Sequence, residues 1–391
     1  MGKRERRAYR EAIRDRYQQA SKADKQLILD EFCRVCQYHR KHAIRLLRKR
    51  PPTKPLKAKP GRKTRYNTPE LLTVLSRIWL TSDQMCSKRL KAALPLWLPH
   101  YATYYHPIAE PIARKLLQIS PATIDRLLKA HRVHYPRGLC GTKPGKLLRN
   151  QIPIRTHHWD ITKPGFMEAD TLAHCGTSLE GEFVWSLTLT DILTGWTASR
   201  AVWNKGAFGI IEQINDIEAH LPFRLRGFDC DNGGEFINHH LVRHFAARKN
   251  QVFLTRSRPN HRNDNPHVEQ KNWDHVRHLF GYDRFDNPEL VPLMNDLYRN
   301  EWALYQNHFC PTLKLLSKER VNSKYKKHYE NQPATPYQRV LLSAYVSPDA
   351  KMMLKARQAI LNPFALRAMI QSKLKAIFKL VTVTTNLRHR I

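Results

Sequence analysis

Apolar and polar residues alternate at a helical spacing over the first fifty residues of the chain. An apolar run at 27–35 is followed by a break near Gln37 and by a second apolar run at 43–47. This pattern predicts two short helices joined by a tight turn. The second helix is strongly basic, as helices that lie in a DNA groove are. We therefore expect a helix-turn-helix DNA-binding domain over residues 1–50, with DNA contacts from Arg40, Lys41, Arg45 and Arg48.

A segment rich in Pro and Lys, residues 51–66, follows this domain and has almost no apolar residues. Such a segment cannot pack a core, so we expect an extended basic linker that contacts DNA. The residues assigned to this contact are Arg62, Lys63 and Arg65.

The helical spacing resumes over residues 67–133 and includes the stretch "ISPATIDRLLKAHR". Ser120 stands at an N-cap position, and Pro121 stands at the first helical position. This pattern predicts a second helix-turn-helix domain, with DNA contacts from Thr123, Arg126 and Lys129. A second basic linker, 134–156, comes after it.

The period of the pattern changes to two after residue 156, which indicates β-strands. "GFMEADTLAH", "FVWSLTLT" and "GWTASRAVW" are strand-like, and "FRLRGFDCD" and "VFLTRS" alternate with helical stretches further along. Three strands, then helix, strand, helix, strand and helix, predict an α/β mixed sheet covered by helices over residues 157–285. The remainder, 286–391, is predicted to be a small, mainly helical region.

Three acids occupy comparable places on this predicted scaffold. Asp170 lies in the first strand, Asp231 ends the fourth, and Glu269 lies one turn into the last helix, whose predicted cap is Asn265. Three converging carboxylates repel one another unless cations lie between them. Oxygen ligands suit two Mg²⁺ or Mn²⁺ ions, which support phosphoryl transfer. Asp229 lies two residues before Asp231 and competes with it for this role.

The motifs around these acids resemble those of a known family. "GFMEADTLAH", "FDCDNGGEF" and "RNDNPHVEQKNWDHVR" resemble the integrase-core DDE transposases of bacterial insertion sequences, relatives of retroviral integrases with a ribonuclease H-like fold. The resemblance implies a catalytic and metal-binding triad of Asp170, Asp231 and Glu269. Between the last two lie 37 residues, close to the interval usual in the family.

The resemblance also implies an activity and its partners. We expect binding to the terminal inverted repeats of a mobile element, metal-dependent DNA cleavage, and strand transfer into target DNA. Two element ends imply a homodimer or higher oligomer on double-stranded DNA, in the bacterial cytoplasm and associated with the nucleoid. No small-molecule cofactor is expected, and the N-terminal zinc module of retroviral integrases is absent.

Further residues near the acids are candidates for DNA contacts. Lys271 and Asn272 follow Glu269 and are placed near the scissile phosphate, with a solvated helix face as the alternative. Arg256 and Arg258 flank a predicted loop and are placed on a DNA backbone. His174, four residues past Asp170, lies either near the metals or in the structural core.

Charge and cysteine content agree with this interpretation. The chain has 391 residues with 67 Lys and Arg against 33 Asp and Glu, a net charge of +34, which indicates a polyanionic partner. Its charged N-terminal stretch contains no apolar secretory run, and no membrane-binding segment is expected. Cys33, Cys36, His39 and His42 have zinc-ligand chemistry but lie too close together for a zinc finger.

Two alternatives remain open from the sequence. A ribonuclease H-like nuclease or junction resolvase uses the same metals without joining strands. A DNA-binding regulator whose core has lost catalysis is the second alternative.

Overall fold

The computed structural model describes residues 2–48, 66, 68–134, 161–230, 239–256, 272–321 and 324–388. The chain divides into two compact units, residues 1–65 and residues 66–391.

The described part of the first unit, residues 2–48, contains three helices, one more than the sequence pattern predicts. They are α1 (Lys3–Gln19), α2 (Lys22–Cys36) and α3 (Arg40–Arg48). Helix α1 is densely charged and buries only Ile13 and Tyr17 in the small core around Phe32, so its apolar stripe is too sparse to stand out in the sequence. Helix α2 ends at Gln37, whose φ of 55° is left-handed, and a short turn leads to α3.

The second unit is built on a mixed five-stranded sheet, as the sequence predicts. Its strands are β1 (Phe166–Ala173), β2 (Val184–Asp191), β3 (Thr197–Trp203), β4 (Gly227–Cys230) and β5 (Phe253–Arg256). Their order in the sheet is β3-β2-β1-β4-β5. The first three strands form an antiparallel meander, and β4 and β5 run parallel to β1. Strand β1 is therefore central and is paired on both sides.

The two faces of the central strands bury different chemistry. Met167 and Ala169 of β1, with Phe228 and Cys230 of β4, join one core cluster with helices α8 (Ala207–Ala219) and α9 (His239–Ala246). Successive side chains of a strand point to opposite faces. The opposite face therefore carries the acidic positions of these strands, Glu168, Asp170 and Asp229.

A thick helical layer forms the rest of the second unit. Before the sheet in the chain come α4 (Pro69–Thr81), α5 (Ser87–Tyr104), α6 (Glu110–Gln118) and α7 (Pro121–His134). After the sheet, α10 consists of a π-helical turn, Trp273–Arg277, and the short helix His278–Phe280, and α11 consists of Leu290–Leu297, a π-helical turn Tyr298–Trp302 and Ala303–Phe309. The last three helices are α12 (Pro336–Leu342), α13 (Pro348–Ile360) and α14 (Pro363–Arg388). Residues from α4 to α7 share one continuous core with residues of α10, α11 and α14.

The C-terminal region is mainly helical, as predicted, with one addition. Strands β6 (Leu315–Val321) and β7 (Lys324–Tyr329) form a separate antiparallel two-stranded sheet. Within the described residues, no helix combines the length and the apolar character that crossing a membrane requires.

Trp97 joins α5 to the C-terminal helices. Its side chain is fully buried, its indole Nε1 donates to the carbonyl of Phe309 at 3.0 Å, and its ring meets the ring of Phe364 edge-on at 5.1 Å. Because this core is continuous, helices α4–α7 are expected to unfold together with the sheet.

We predict that Trp97→Ala destabilises the second unit by about 3–5 kcal/mol, through lost burial and a residual cavity. Thermal and urea unfolding of the full chain, followed by tryptophan fluorescence and circular dichroism, measure the change. Leu342→Ala, at a side chain 85% exposed, is the control and should leave unfolding nearly unchanged. A new early transition with an unmoved main transition would show instead that α4–α7 fold separately.

Candidate active site

Asp170 lies in the middle of the sheet at a position where its carboxylate is held by amide donors. It stands opposite Thr188 of β2 in the antiparallel register, and its neighbour Ala169 stands opposite Cys230 of β4. The Oδ1 atom accepts the backbone amide of Thr171 at 2.8 Å, and the Oδ2 atom accepts Nδ2 of Asn272 at 2.6 Å. The carboxylate is partly buried and fixed in orientation.

Asn272 brings the start of α10 against the central strand. Its side chain is 5% exposed, and its Oδ1 atom is buried with no hydrogen-bond partner within the described part of the chain. A π-helical turn follows directly, a feature that is frequent at functional sites. The side chain is turned into the protein and towards Asp170, and the DNA contact expected of Asn272 from the sequence stays a prediction.

Asp229, the alternative to Asp231, is engaged by the neighbouring strand. Its Oδ1 atom accepts the hydroxyl of Thr255 on β5 at 2.6 Å. In the parallel register it lies opposite Glu168, which is 3% exposed. Two acids therefore stand side by side on the same face as Asp170.

The other two members of the predicted triad, Asp231 and Glu269, lie outside the described residues. Within the ranges that the structure describes, no group of three or more His, Cys, Asp or Glu side chains is arranged to hold a metal ion. Convergence of the three carboxylates stays a prediction.

His174 belongs to the core, which was one of its two expected places. The ring is fully buried, stacks on Phe285 with centroids 4.9 Å apart, and contacts Ser186 Oγ through Nε2 at 2.8 Å. Ser186 in turn contacts the hydroxyl of Tyr298 at 2.8 Å. Burial, assisted by the charge of Arg277, lowers the pKa of His174 to about 3. The neutral ring thus ties the end of β1 to α11.

Helix α3 presents its predicted DNA contacts to solvent. The four residues Arg40, Lys41, Arg45 and Arg48 are exposed, while Ala43 and Leu47 pack inward. Arg40 pairs with Asp30, and Arg45 contacts Nδ1 of His42 at 2.9 Å. The basic side of α3 is thus accessible to a partner, although the DNA contact itself stays a prediction.

Helix α7 begins as the sequence predicts and exposes two of its three candidate residues. The amide of Thr123 donates to Ser120 Oγ at 3.2 Å, which is the N-cap bond. Arg126 and Lys129 are exposed, and Arg126 donates to the hydroxyl of the half-buried Thr123 at 3.0 Å. The turn between α6 and α7 is only two residues long, Ile119 and Ser120.

The remaining candidates for DNA contacts lie at the edge of, or beyond, what is described. Arg256 is the last residue of β5. The others lie outside the described residues: Arg62, Lys63, Arg65, Arg258 and Lys271.

Fold and site together define a mixed α/β protein with a carboxylate held at the centre of its sheet, and the comparison with known proteins gives its family. The chain is 39% identical over 336 residues to a protein of Sinorhizobium fredii, "Uncharacterized protein y4rM", and the match covers 84% of this chain and 93% of the relative. This chain belongs to the same family as y4rM. No family model matches it.

The chain is also similar to solved structures of retroviral integrases. The HTLV-2 integrase catalytic core domain, a dimeric form in complex with magnesium, gives 13% identity and a TM-score of 0.27, covering 38% of this chain and 90% of that one. The BIV integrase catalytic core domain gives 11% identity and a TM-score of 0.28, and the match covers 44% of this chain and 91% of that one. A simian T-cell lymphotropic virus intasome, in complex with PP2A regulatory subunit B56 gamma, gives 14% identity and a TM-score of 0.33, and the match covers 63% of this chain and 73% of that one.

The buried His174 leads to a prediction about acid sensitivity. Because its pKa is about 3 in the folded protein against an ordinary value of 6.5, the unfolded chain binds a proton that the folded chain does not. Stability should therefore fall as pH drops below 6.5, with His174 contributing up to about 1.4 kcal/mol per pH unit. His174→Gln should make the pH dependence of the free energy of unfolding, measured by urea denaturation, shallower.

Ser186→Ala is the control for this measurement, because it removes the hydrogen-bond partner of His174 but no titratable group. It should lower stability at every pH and keep the steep dependence. An unchanged dependence in His174→Gln would show that His174 is protonated in the folded protein.

Proposed function

We propose that this protein is a DNA transposase with a DDE integrase core. It binds the ends of its mobile element and catalyses metal-dependent cleavage and strand transfer. The observation that carries the proposal is the hydrogen bond between Asn272 and Asp170. That contact joins the central strand to the segment that immediately follows Glu269, on a sheet of the order β3-β2-β1-β4-β5, which is the mixed sheet expected of a ribonuclease H-like core.

Asp231 is supported by the register of β4. Cys230 lies opposite Ala169, and consecutive Cα atoms are about 3.8 Å apart across a trans peptide. Asp231 therefore follows Cys230, which pairs with Ala169, and Ala169 is the neighbour of Asp170 in β1. The pleat places Cys230 in the core on the far face, so an extended next residue has the same facing as Asp170.

Glu269 is supported by its spacing from Asn272. Three residues separate the two positions, and side chains at i and i+3 share one face of a helix. If the helix predicted to begin at Pro266 forms, the face that carries Asn272 towards Asp170 would also carry Glu269.

The chemistry of the donor atoms fits Mg²⁺ or Mn²⁺. Asp170 supplies a carboxylate, and Asn272 supplies a buried amide oxygen without a described hydrogen-bond partner; both are hard oxygen donors. Asp170, Asp231 and Glu269 would hold two ions, with Asn272 beside them. Bound divalent ions supply activation of the attacking hydroxyl and stabilisation of the leaving oxygen. The donated hydrogen bond of Asn272 keeps the Asp170 carboxylate oriented, as outer-shell groups do.

The DNA partner is supported by charge and by the accessible basic helices. The net charge of +34 gives a field that attracts a polyanion. Exposed cations on α3 and α7 provide the surfaces on which terminal repeats would be read. An oligomer that brings two ends together, and the target DNA, complete the proposal.

The triad is tested by charge-removing substitutions at single carboxylates. Asp170→Asn, Asp231→Asn and Glu269→Gln should each reduce strand transfer at least about 1,000-fold, because each removes a preorganised charge from the reacting centre. The substrate is a labelled duplex carrying the DNA that flanks the coding sequence, incubated with Mg²⁺ and a target plasmid. Asp229→Asn, the matched control, should stay within about tenfold of the unchanged protein, a smaller loss than removal of one preorganised group causes.

Each other outcome assigns a different function or site. Cleaved ends without joined products would identify a nuclease. Unchanged transposition with Asp231→Ala would sink the catalytic assignment and support a DNA-binding regulator. Loss of activity in Asp229→Asn with retention in Asp231→Asn would place the second carboxylate at 229.

Asn272 yields a separate prediction. Asn272→Leu keeps the volume but removes the donor to Asp170, so turnover or metal affinity should fall about 10- to 100-fold, with a higher half-maximal Mn²⁺ concentration and unchanged DNA affinity. Asn295→Leu is the control, since Asn295 makes a comparable pair of bonds to the backbone of Ala201 at 2.6 and 3.0 Å. It should lower stability without raising the metal requirement.

If Asn272→Leu instead weakened DNA binding and left the metal requirement unchanged, the residue would be a DNA contact, as the sequence alone predicts. The two roles are therefore separated by one pair of titrations.

A further inference from the structure

The β6–β7 hairpin is a basic arm that the proposed function does not use. It forms a sheet of its own, outside the five-stranded sheet. Over residues 315–329 it carries five Lys or Arg residues and one acid, Glu319. Lys326 and Tyr329 are exposed. The sequence predicts a mainly helical region over residues 286–391 and no DNA contact on this stretch.

The register of the hairpin places like charges across from each other. Lys318 stands opposite Lys327, while Glu319 stands opposite Lys326. Like charges directly opposite one another destabilise an antiparallel pair, and opposite charges stabilise it. The ladder thus places two lysine positions opposite each other at mid-strand, an arrangement that suits an anionic partner.

The base of the hairpin is firmly attached to the five-stranded sheet. Arg339 donates to both carboxylate oxygens of Glu330, at 2.6 and 3.2 Å, and to the carbonyl of Thr312 at 2.7 Å. It also reaches the carbonyl of Thr194, in the turn between β2 and β3, at 3.2 Å. This arginine therefore fixes the point from which the hairpin leaves.

Two further contacts complete this base. The bridge between Thr312 and Ala334 closes the chain just outside the hairpin. The ammonium group of Lys314 donates to the carbonyl of Leu193 at 2.8 Å, and burial lowers its pKa. A part-buried network of this kind at the base of a two-stranded ribbon holds it in a fixed direction, which a ribbon of exposed residues alone would lack.

We propose that the β6–β7 hairpin is a DNA-binding arm that contacts the phosphates of a duplex and enters its major groove. Its seven-residue strand β6 spans about 20 Å at the usual rise per residue. A two-stranded ribbon fits the major groove, which is about 12 Å wide. The arm deepens the proposed function, since it adds a surface for the same substrate, but its binding needs neither the metal nor the triad.

DNA is favoured over an acidic protein by the way the charge is distributed. The cationic positions recur along both strands, and a duplex offers phosphates at a regular spacing over the same length. Tyr325 and Tyr329 lie among the cations, and tyrosine hydroxyls are frequent donors to phosphate oxygens.

The test compares two variants that each remove three charges from the full chain. Lys318→Gln, Arg320→Gln and Lys327→Gln together change the arm. The control variant changes α13 and has the same net charge as the arm variant; it combines Lys351→Gln, Lys355→Gln and Arg357→Gln. Binding to a 30-base-pair duplex is followed by fluorescence anisotropy in EDTA over a range of salt concentrations.

We expect the arm variant to bind the duplex at least about tenfold more weakly. The negative slope of log K against log salt concentration should become shallower by about two to three, since each phosphate contact contributes about −0.9 to that slope. The α13 variant should change affinity less than about threefold, with the slope within one unit of the unchanged protein. Equal losses in both variants, or none in the arm variant, would overturn the proposal.

Two further measurements separate the partner and the fold. Polyglutamate and an RNA duplex of equal length are tested alongside; a larger loss for either than for DNA would assign the arm to that partner. Acetylation footprinting of the unchanged protein keeps the test independent of variant folding: DNA should protect Lys318 and Lys327 more than Lys355, and equal reactivity with and without DNA would overturn the proposal.

Failure of the arm and failure of the proposed function give different results. EDTA removes catalysis from the binding measurement, so loss of affinity in the arm variant stands even if the chain joins no DNA. A catalytically active chain whose arm variant binds normally would refute the arm alone.

Discussion

The hydrogen bond between Asn272 and Asp170 joins parts of the chain that are 102 residues apart, and the geometry of the candidate site depends on it. Asp170 pairs with Thr188 of β2, and the ladder between β1 and β4 reaches the neighbouring Ala169, so the backbone at this point is held from both sides. The bond sets the rotation of the carboxylate and the depth at which α10 meets the sheet. Any group that α10 carries on the same face is then placed relative to Asp170 by the helix itself.

The shared core of the second unit has a consequence for DNA recognition. Helix α7 exposes Arg126 and Lys129, and its buried Ile124 and Leu128 belong to the same cluster as residues of α10, α11 and α14. Close-packed interiors move as units. DNA held on α7 would therefore be held in a fixed relation to Asp170, whereas α3 belongs to a separate compact unit.

The elements that sequence reasoning predicted are those whose signal is local. The alternation in "FVWSLTLT" marks strand β2, although the structure buries both of its faces, with Ser186 and Thr188 as fully buried as Leu187. The Ser120 cap depends on residues three positions apart. Helix α1 lacked a clear stripe because so few of its residues are buried. The β6–β7 hairpin was missed because charged residues occupy both strands, and no apolar alternation marked them.

The same distinction applies to the candidate site, where residues in a local motif could be selected from the sequence and contacts between distant residues could not. Asp170 could be selected from its motif and its strand. The role of Asn272 could not, because a residue beside Lys271 on a predicted helix is equally consistent with an exposed face. Only the packing of α10 against β1 distinguishes a buried donor from a DNA contact. The available signal in the sequence was that Asn272 lies three residues after Glu269. That spacing becomes informative only when the contact of Asn272 with Asp170 on β1 is known.

A carboxylate at the centre of a protein with a net charge of +34 also needs a physical explanation, and Asp216 provides the contrast. Arg200 and Arg299 flank Asp216, with Arg299 at 2.7 Å; burial works against its charged form, but these arginines lower its pKa. Its charge is neutralised within the fold, and a cation there would be redundant. Asp170 accepts hydrogen bonds from the amides of Thr171 and Asn272, and these donors orient its carboxylate. Under the proposed function, they would present this carboxylate to a metal ion in a fixed orientation.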